Sequence, residues 1–131
     1  MIEILFQREQ HRWRSFQSKG HSGYHDSGKD IVCAAISAIV QTALLGILAF
    51  DHEITEYSTE DGFLECNLAN KSANDFELQI QSIITTAALG CLNIAIQYPA
   101  FVTVKFIGIP EWKNCKEYTL ENYKQFIELI E

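Results

Sequence analysis

The chain opens with apolar and polar residues in alternation, Ile2, Ile4 and Phe6 against Glu3 and Gln7, which predicts a half-buried strand over residues 2–8. A turn around Gln10 and His11 leads into a second strand over 13–19, where the alternation is poor and a short hairpin is the simplest link. His11 then reads as a solvated turn residue. From Ile31 to Phe50 the period changes: Ile31, Val32, Ala35, Ile36, Ile39, Val40, Ala43, Leu44 and Ile47 cover most of a helical circumference. Such a helix spans roughly 30 Å and is expected to be largely buried. Strands over 54–59 and 63–69 flank Glu60-Asp61-Gly62, a hairpin turn by its Asp-Gly pair, and Leu64, Cys66 and Leu68 point to one side. The run 72–75 can cap a second long helix that stops near Tyr98-Pro99, and Val102, Val104 and Phe106 make a last strand. The order is ββαββαβ, an α+β fold with a mixed sheet and two long helices.

That pattern accounts for residues 1–107 as one domain, and 131 residues leave no room for a second. Residues 108–131 form a C-terminal extension: Gly108-Ile109-Pro110 breaks the strand, Trp112 is an anchor, and Thr119 caps a short helix striped by Leu120, Tyr123, Phe126, Ile127 and Ile130. A helix that short is marginal alone. It is expected to dock on its own domain or on a dimer partner.

Both long apolar segments have the length of a membrane span. In the second, however, Gln79, Ser82, Thr86, Asn93 and Gln97 recur at helical steps and keep a wet face, and in the first Ser37 and Gln41 fall in line with Cys33. Buried helices in a soluble domain explain both, so no membrane contact is expected. A net charge of −7, with Lys and Arg scattered, argues against nonspecific nucleic-acid binding and suits a basic protein partner. The four cysteines, Cys33, Cys66, Cys91 and Cys115, show no paired spacing, and Met1 leads straight into a strand without a signal peptide. A reducing cytoplasm is the expected home. Cys66 and Cys91 read as small buried hydrophobes and Cys115 as a loop thiol.

Candidate chemistry gathers where the glycine-rich loop 20–29 empties into the first long helix. With Asp30 as N-cap, Cys33 occupies the third helical position, where unpaired N–H groups and the positive dipole end favour a thiolate. The Asp30 charge opposes that, and a protonated His21 would restore the balance. His21 lies twelve residues before Cys33, on a segment that Gly20, Gly23 and Gly28 allow to fold back, so the two form a candidate Cys/His dyad. Ser37 sits one turn beyond Cys33. Its hydroxyl is able to support the thiol or a substrate carbonyl, or to bond its own backbone four residues back. The loop, with few apolar anchors, is expected to be mobile when empty and to order over a bound peptide. Ser22, Gly23, Tyr24 and His25 are its candidate substrate contacts, with Tyr24 over a substrate side chain, and Asp26 a further one.

Gly20-His21-Ser22-Gly23, then Gly28, then Asp30-Ile31-Val32-Cys33-Ala34-Ala35-Ile36-Ser37-Ala38, resembles the signature of the ribosomal-processing cysteine proteases known as Prp. The spacing from His to Cys and the order of elements over about residues 1–107 also match. The resemblance implies a cytoplasmic, homodimeric protease that removes a short N-terminal extension from a large-subunit ribosomal protein. Carried over, His21 and Cys33 are the catalytic pair and Gly20, Asp30 and Ser37 supporting positions. Ser22 stands where the family usually has alanine, and the chain runs past the usual family end.

The expected chemistry is acyl transfer: Cys33 attacks a peptide carbonyl, His21 holds the thiolate and protonates the leaving amine, and backbone N–H groups at the helix start receive the oxyanion. The alternative is a noncatalytic ribosome-assembly or protein-binding module with the same fold, in which Cys33 merely packs. His21, His25 and Cys33 lack a fourth ligand of fixed spacing, so neither a metal nor another cofactor is expected.

Overall fold

In the computed structural model, which describes residues 1–26, 30–51, 55–68 and 75–108, two strands β1 (Ile2–Glu9) and β2 (Arg12–Lys19) form an antiparallel hairpin. Helix α1 (Ile31–Asp51), the antiparallel pair β3 (Glu56–Glu60) and β4 (Phe63–Asn67), helix α2 (Glu77–Gln97) and strand β5 (Val102–Ile107) follow, in the expected ββαββαβ order. One mixed sheet runs β3-β4-β2-β1-β5, with β5 parallel to β1 and the other neighbours antiparallel.

Register turns the sequence alternation into a core. Cys66, Phe16, Phe6 and Phe106 align as one row across the sheet, and Leu64, Ser18, Ile4 and Val104 as the next. All eight are buried under the two helices, which contribute Val32, Ile36, Val40, Ile80, Ile84 and Leu92 among others. The opposite sheet face carries Glu3, Gln7, Gln17, Glu65 and Lys105.

The poor alternation of β2 reflects a β-bulge. The β1–β2 register slips between Gln7, which faces Ser15, and Arg8, which faces Trp13, so Arg14 is an extra residue. This bulge turns Trp13 into the core, where its Nε1 donates to Thr85 Oγ1 at 2.9 Å and the Gln81 amide group satisfies both its backbone N–H and its C=O. Phe6 lies 5.8 Å, centroid to centroid, from each of Trp13, Phe16 and Phe106. Gln10 and His11, at φ +54° and +64°, make the predicted hairpin turn.

Two expectations change. Helix α1 is not largely buried: Ile31 (56% exposed) and Leu45 (68%) face outward, because one sheet face and one neighbouring helix cover only one side of it. The cap position of α2 is Phe76, which makes no side-chain capping bond; Asp75 lies in the preceding turn, and 72–74 lie outside the described residues. Both helices have the length and composition of a membrane span. In α2 the predicted wet face is present, with Gln79, Ser82, Thr86, Asn93 and Gln97 all exposed. The readings of Gly28, Cys115 and the extension beyond Gly108 also fall outside the described residues.

Strand β3 is the uncovered edge. Tyr57 and Thr59 pair with Cys66 and Leu64 and so share the helix-side face, yet both are exposed. That open margin faces α1 across a groove.

Candidate active site

The loop that leaves β2 is fixed at its first residue. Gly20 adopts φ +95°, donates its N–H to Gly62 O at 2.8 Å, and approaches Met1 O so closely that a Cβ there would collide with it. His21 is thereby laid on the β3–β4 turn. A Cβ at Gly62 would lie 2.7 Å from His21 Nε2, which stands 4.0 Å from Asp61 Oδ2.

Asp30 joins the loop to the helix. Its Oδ1 accepts the N–H groups of Val32 (3.0 Å) and Cys33 (2.9 Å), the N-cap geometry that the sequence predicts. Its Oδ2 accepts the Ser22 hydroxyl and the His25 N–H at 3.4 Å. Burial by itself would raise the Asp30 carboxyl, but the bonds from Ser22 and from the backbone of Cys33, His25 and Val32 outweigh it and hold the group down at about 2. The amide of Ser22 donates to Cys33 Sγ at 3.3 Å.

This arrangement alters the expected oxyanion site. The N–H groups of Val32 and Cys33 are committed to the Asp30 side chain, and that of Ala34 bonds Asp30 O at 3.0 Å. The backbone donor at the sulfur comes from the loop.

His21, Gly23, His25, Asp30, Cys33 and Ser37 line one groove of about 1030 Å³ between α1 and the β3–β4 hairpin. Among the described residues the Ser37 hydroxyl makes no hydrogen bond, including none to the carbonyl four residues back. Ser22 is 3% exposed and lies beneath the groove rather than in its wall. Tyr24, expected over a substrate side chain, packs edge-on against Tyr98 (5.7 Å) and Phe101 (5.2 Å), and so supplies the apolar anchor that the loop composition did not suggest.

Sequence reading missed the far wall. Leu44, Leu45 and Leu48 of α1 face Tyr57 and Thr59 of β3, with Glu60 and Asp61 at the His21 end. The Asp-Gly pair marked the turn, but only the β2–β4 register, Lys19 opposite Phe63, brings that turn to His21.

Of the other thiols, Cys66 and Cys91 are fully buried, as expected, and burial pushes Cys66 up to about 12. Among the described residues no three His, Cys, Asp or Glu side chains gather as metal ligands.

Comparison with known proteins agrees with this architecture. Among solved structures, an essential ribosomal processing protease Prp from S. aureus, in complex with a covalently linked product peptide, superposes with a TM-score of 0.70 at 22% identity, covering 81% of this chain and 99% of that one. The protein SMU.848 from Streptococcus mutans gives 0.68 at 27% identity, over 82% of this chain and 94% of that one. The S. aureus protease with a substrate peptide gives 0.66 at 20% identity, over 81% and 99%. A search of curated protein sequences finds no match. The family model of the cysteine protease Prp matches residues 1–103, nearly the whole ββαββαβ unit, and the chain belongs to that family of cysteine proteases.

Proposed function

We propose that this protease removes a short N-terminal extension from a large-subunit ribosomal protein, with Cys33 as nucleophile and His21 as its proton partner. The observation that carries the reading is the junction itself: Cys33 sits in the first turn of α1 with a backbone N–H on its sulfur, in the groove that His21 also lines. The S. aureus relatives, described as ribosomal processing proteases and holding product or substrate peptides, supply the substrate class.

The Cys33 thiolate attacks the scissile carbonyl carbon, and protonated His21 gives its proton to the leaving amine as the C–N bond breaks. This leaves a thioester on Cys33. Water, deprotonated by His21, then hydrolyses the thioester and releases the trimmed-off acid, restoring the pair. Asp30 and Gly20 hold the two ends of the loop, and Ser37 offers its hydroxyl to the bound chain. Gly23 and His25 line the groove beside the sulfur, while Leu44, Leu45, Leu48 and Tyr57 offer apolar surface to the peptide. Asp30, Glu60 and Asp61 give the groove an acidic edge suited to a basic ribosomal protein.

The proposal includes a homodimer, supported by the outward Ile31 and Leu45 on α1 and Leu78 (77% exposed) on α2. It includes a cytoplasmic location without membrane or nucleic-acid contact, supported by cysteines without paired spacing, the wet face of α2 and the charge of −7. Residues 1–107 are the protease domain, and 108–131 an extension that docks on it or on the second copy. The test is incubation of the purified chain with the matching large-subunit ribosomal protein carrying its native extension. Intact mass spectrometry then shows one trimmed product. A substrate of unchanged mass contradicts the proposal.

A further inference from the structure

Ser22 is a buried loop serine whose hydroxyl and amide together make three hydrogen bonds beside the nucleophile. Its hydroxyl donates to Asp30 Oδ2 and accepts the Tyr24 N–H at 3.1 Å, while its amide donates to Cys33 Sγ at 3.3 Å. The carboxylate it grips is the N-cap of α1, so the loop and the helix turn bearing Cys33 share one anchor. We infer that Ser22 is a positioning residue for the nucleophile: its hydroxyl clasps Asp30 and thereby holds its own backbone N–H on the Cys33 sulfur. The inference rests on the reading of Cys33 as nucleophile.

The clasp resolves a local conflict of charge. A carboxylate three residues before a thiolate repels it. Here four donors, the Ser22 hydroxyl and the N–H groups of His25, Val32 and Cys33, disperse the Asp30 charge. The Ser22 N–H then adds a positive dipole end at the sulfur. The titratable groups that line the groove with Cys33 and Asp30 are His21 and His25 from the loop, Tyr57 and Glu60 from β3, and Asp61 from the β3–β4 turn. None of them bonds Ser22, so removing its hydroxyl leaves their hydrogen bonds untouched. Alanine keeps the amide but loses both hydroxyl bonds, leaving the long His25 N–H contact at 3.4 Å as the hold of the loop on the Asp30 side chain.

The experiment is the pH profile of Cys33 alkylation by iodoacetamide, followed by mass, in wild type, Ser22→Ala and Ser22→Thr. Loss of the clasp is expected to slow alkylation at neutral pH roughly three- to tenfold and to move the profile to higher pH, with threonine restoring most of it. Cleavage should lose kcat with little change in KM. An alanine variant with the wild-type profile and wild-type cleavage overturns the inference. For a variant that fails to fold, the amide proton of Ser22 in ¹⁵N-labelled wild type decides: it should shift with the same midpoint as Cys33 alkylation, and an amide blind to that transition overturns the inference. Wild type that alkylates selectively at Cys33 yet trims no extension contradicts the protease substrate reading instead, and the alkylation profiles still decide the role of Ser22.

Discussion

The imidazole of His21 rests on the backbone of Gly62, forty-one residues away in the chain, so closely that a Cβ there would lie 2.7 Å from Nε2. The β3–β4 turn is therefore the seat of the candidate base. Gly62→Ala puts a methyl into that space and also forces alanine to φ +72°. The backbone strain alone is expected to cost roughly 1–2 kcal/mol. Gly23→Ala, at the same φ but with open space around its Cβ, measures that strain separately by urea denaturation. The displaced histidine is expected to lower kcat/KM for extension cleavage about tenfold or more in Gly62→Ala, beyond anything its stability explains.

Thiol selectivity follows from burial. Cys33 is partly exposed at a helix start, whereas Cys66 and Cys91 are fully buried and Cys66 is pushed up to about 12. In the folded protein an alkylating agent should modify Cys33 at least roughly a hundredfold faster than either core cysteine, because the core thiols react only through opening of the fold. Peptide mapping after brief labelling reads the ratio. Equal labelling of Cys33 and Cys66 contradicts the described packing.

Asp30 makes stability depend on acid. Its folded-state value lies at about 2 against an ordinary 3.8, held down by its hydrogen bonds, so its contribution is complete above the ordinary value and is lost as pH falls toward about 2. The gap in denaturation midpoint between wild type and Asp30→Asn should be widest above about pH 5 and should close between about pH 4 and pH 2. Denaturation curves across that range check it. A gap that stays constant down to pH 2 contradicts the account.

The bulge in β2 offers a stability test remote from the groove. Thr85→Val keeps the shape of the side chain but leaves the buried Trp13 Nε1 without its acceptor. A loss of about 1–3 kcal/mol is expected, with cleavage unchanged. Thermal or urea unfolding supplies the first value and the cleavage assay the second.

Much of this was legible along the chain because it is local. Alternation at Ile2, Ile4 and Phe6, the Asp61-Gly62 turn and the apolar period of α1 and α2 each depend on a few neighbouring residues, and each element stands where those patterns put it. Asp30 as N-cap and Cys33 in the first helical turn are local too. What sequence alone did not show is non-local. The slip at Arg14 that turns Trp13 inward is decided by packing on Thr85 and Gln81. The loop anchor comes from Tyr98 and Phe101, more than seventy residues beyond Tyr24. The helix-start amides were expected to be free for an oxyanion, but the same Asp30 that marks the helix start takes those of Val32, Cys33 and Ala34. The outward Leu45 belongs to a helix whose all-round apolar pattern suggested burial, and a two-layer fold covers only one side of it.

The most direct test of the central claim is the rate at which Cys33→Ala and His21→Ala proteins trim the native extension, measured by intact mass beside wild type and with melting curves to confirm folding. Both variants are expected to melt as wild type does and to lose at least about a thousandfold in rate. Wild-type trimming by a folded Cys33→Ala or His21→Ala protein would contradict the dyad and remove that residue from the mechanism.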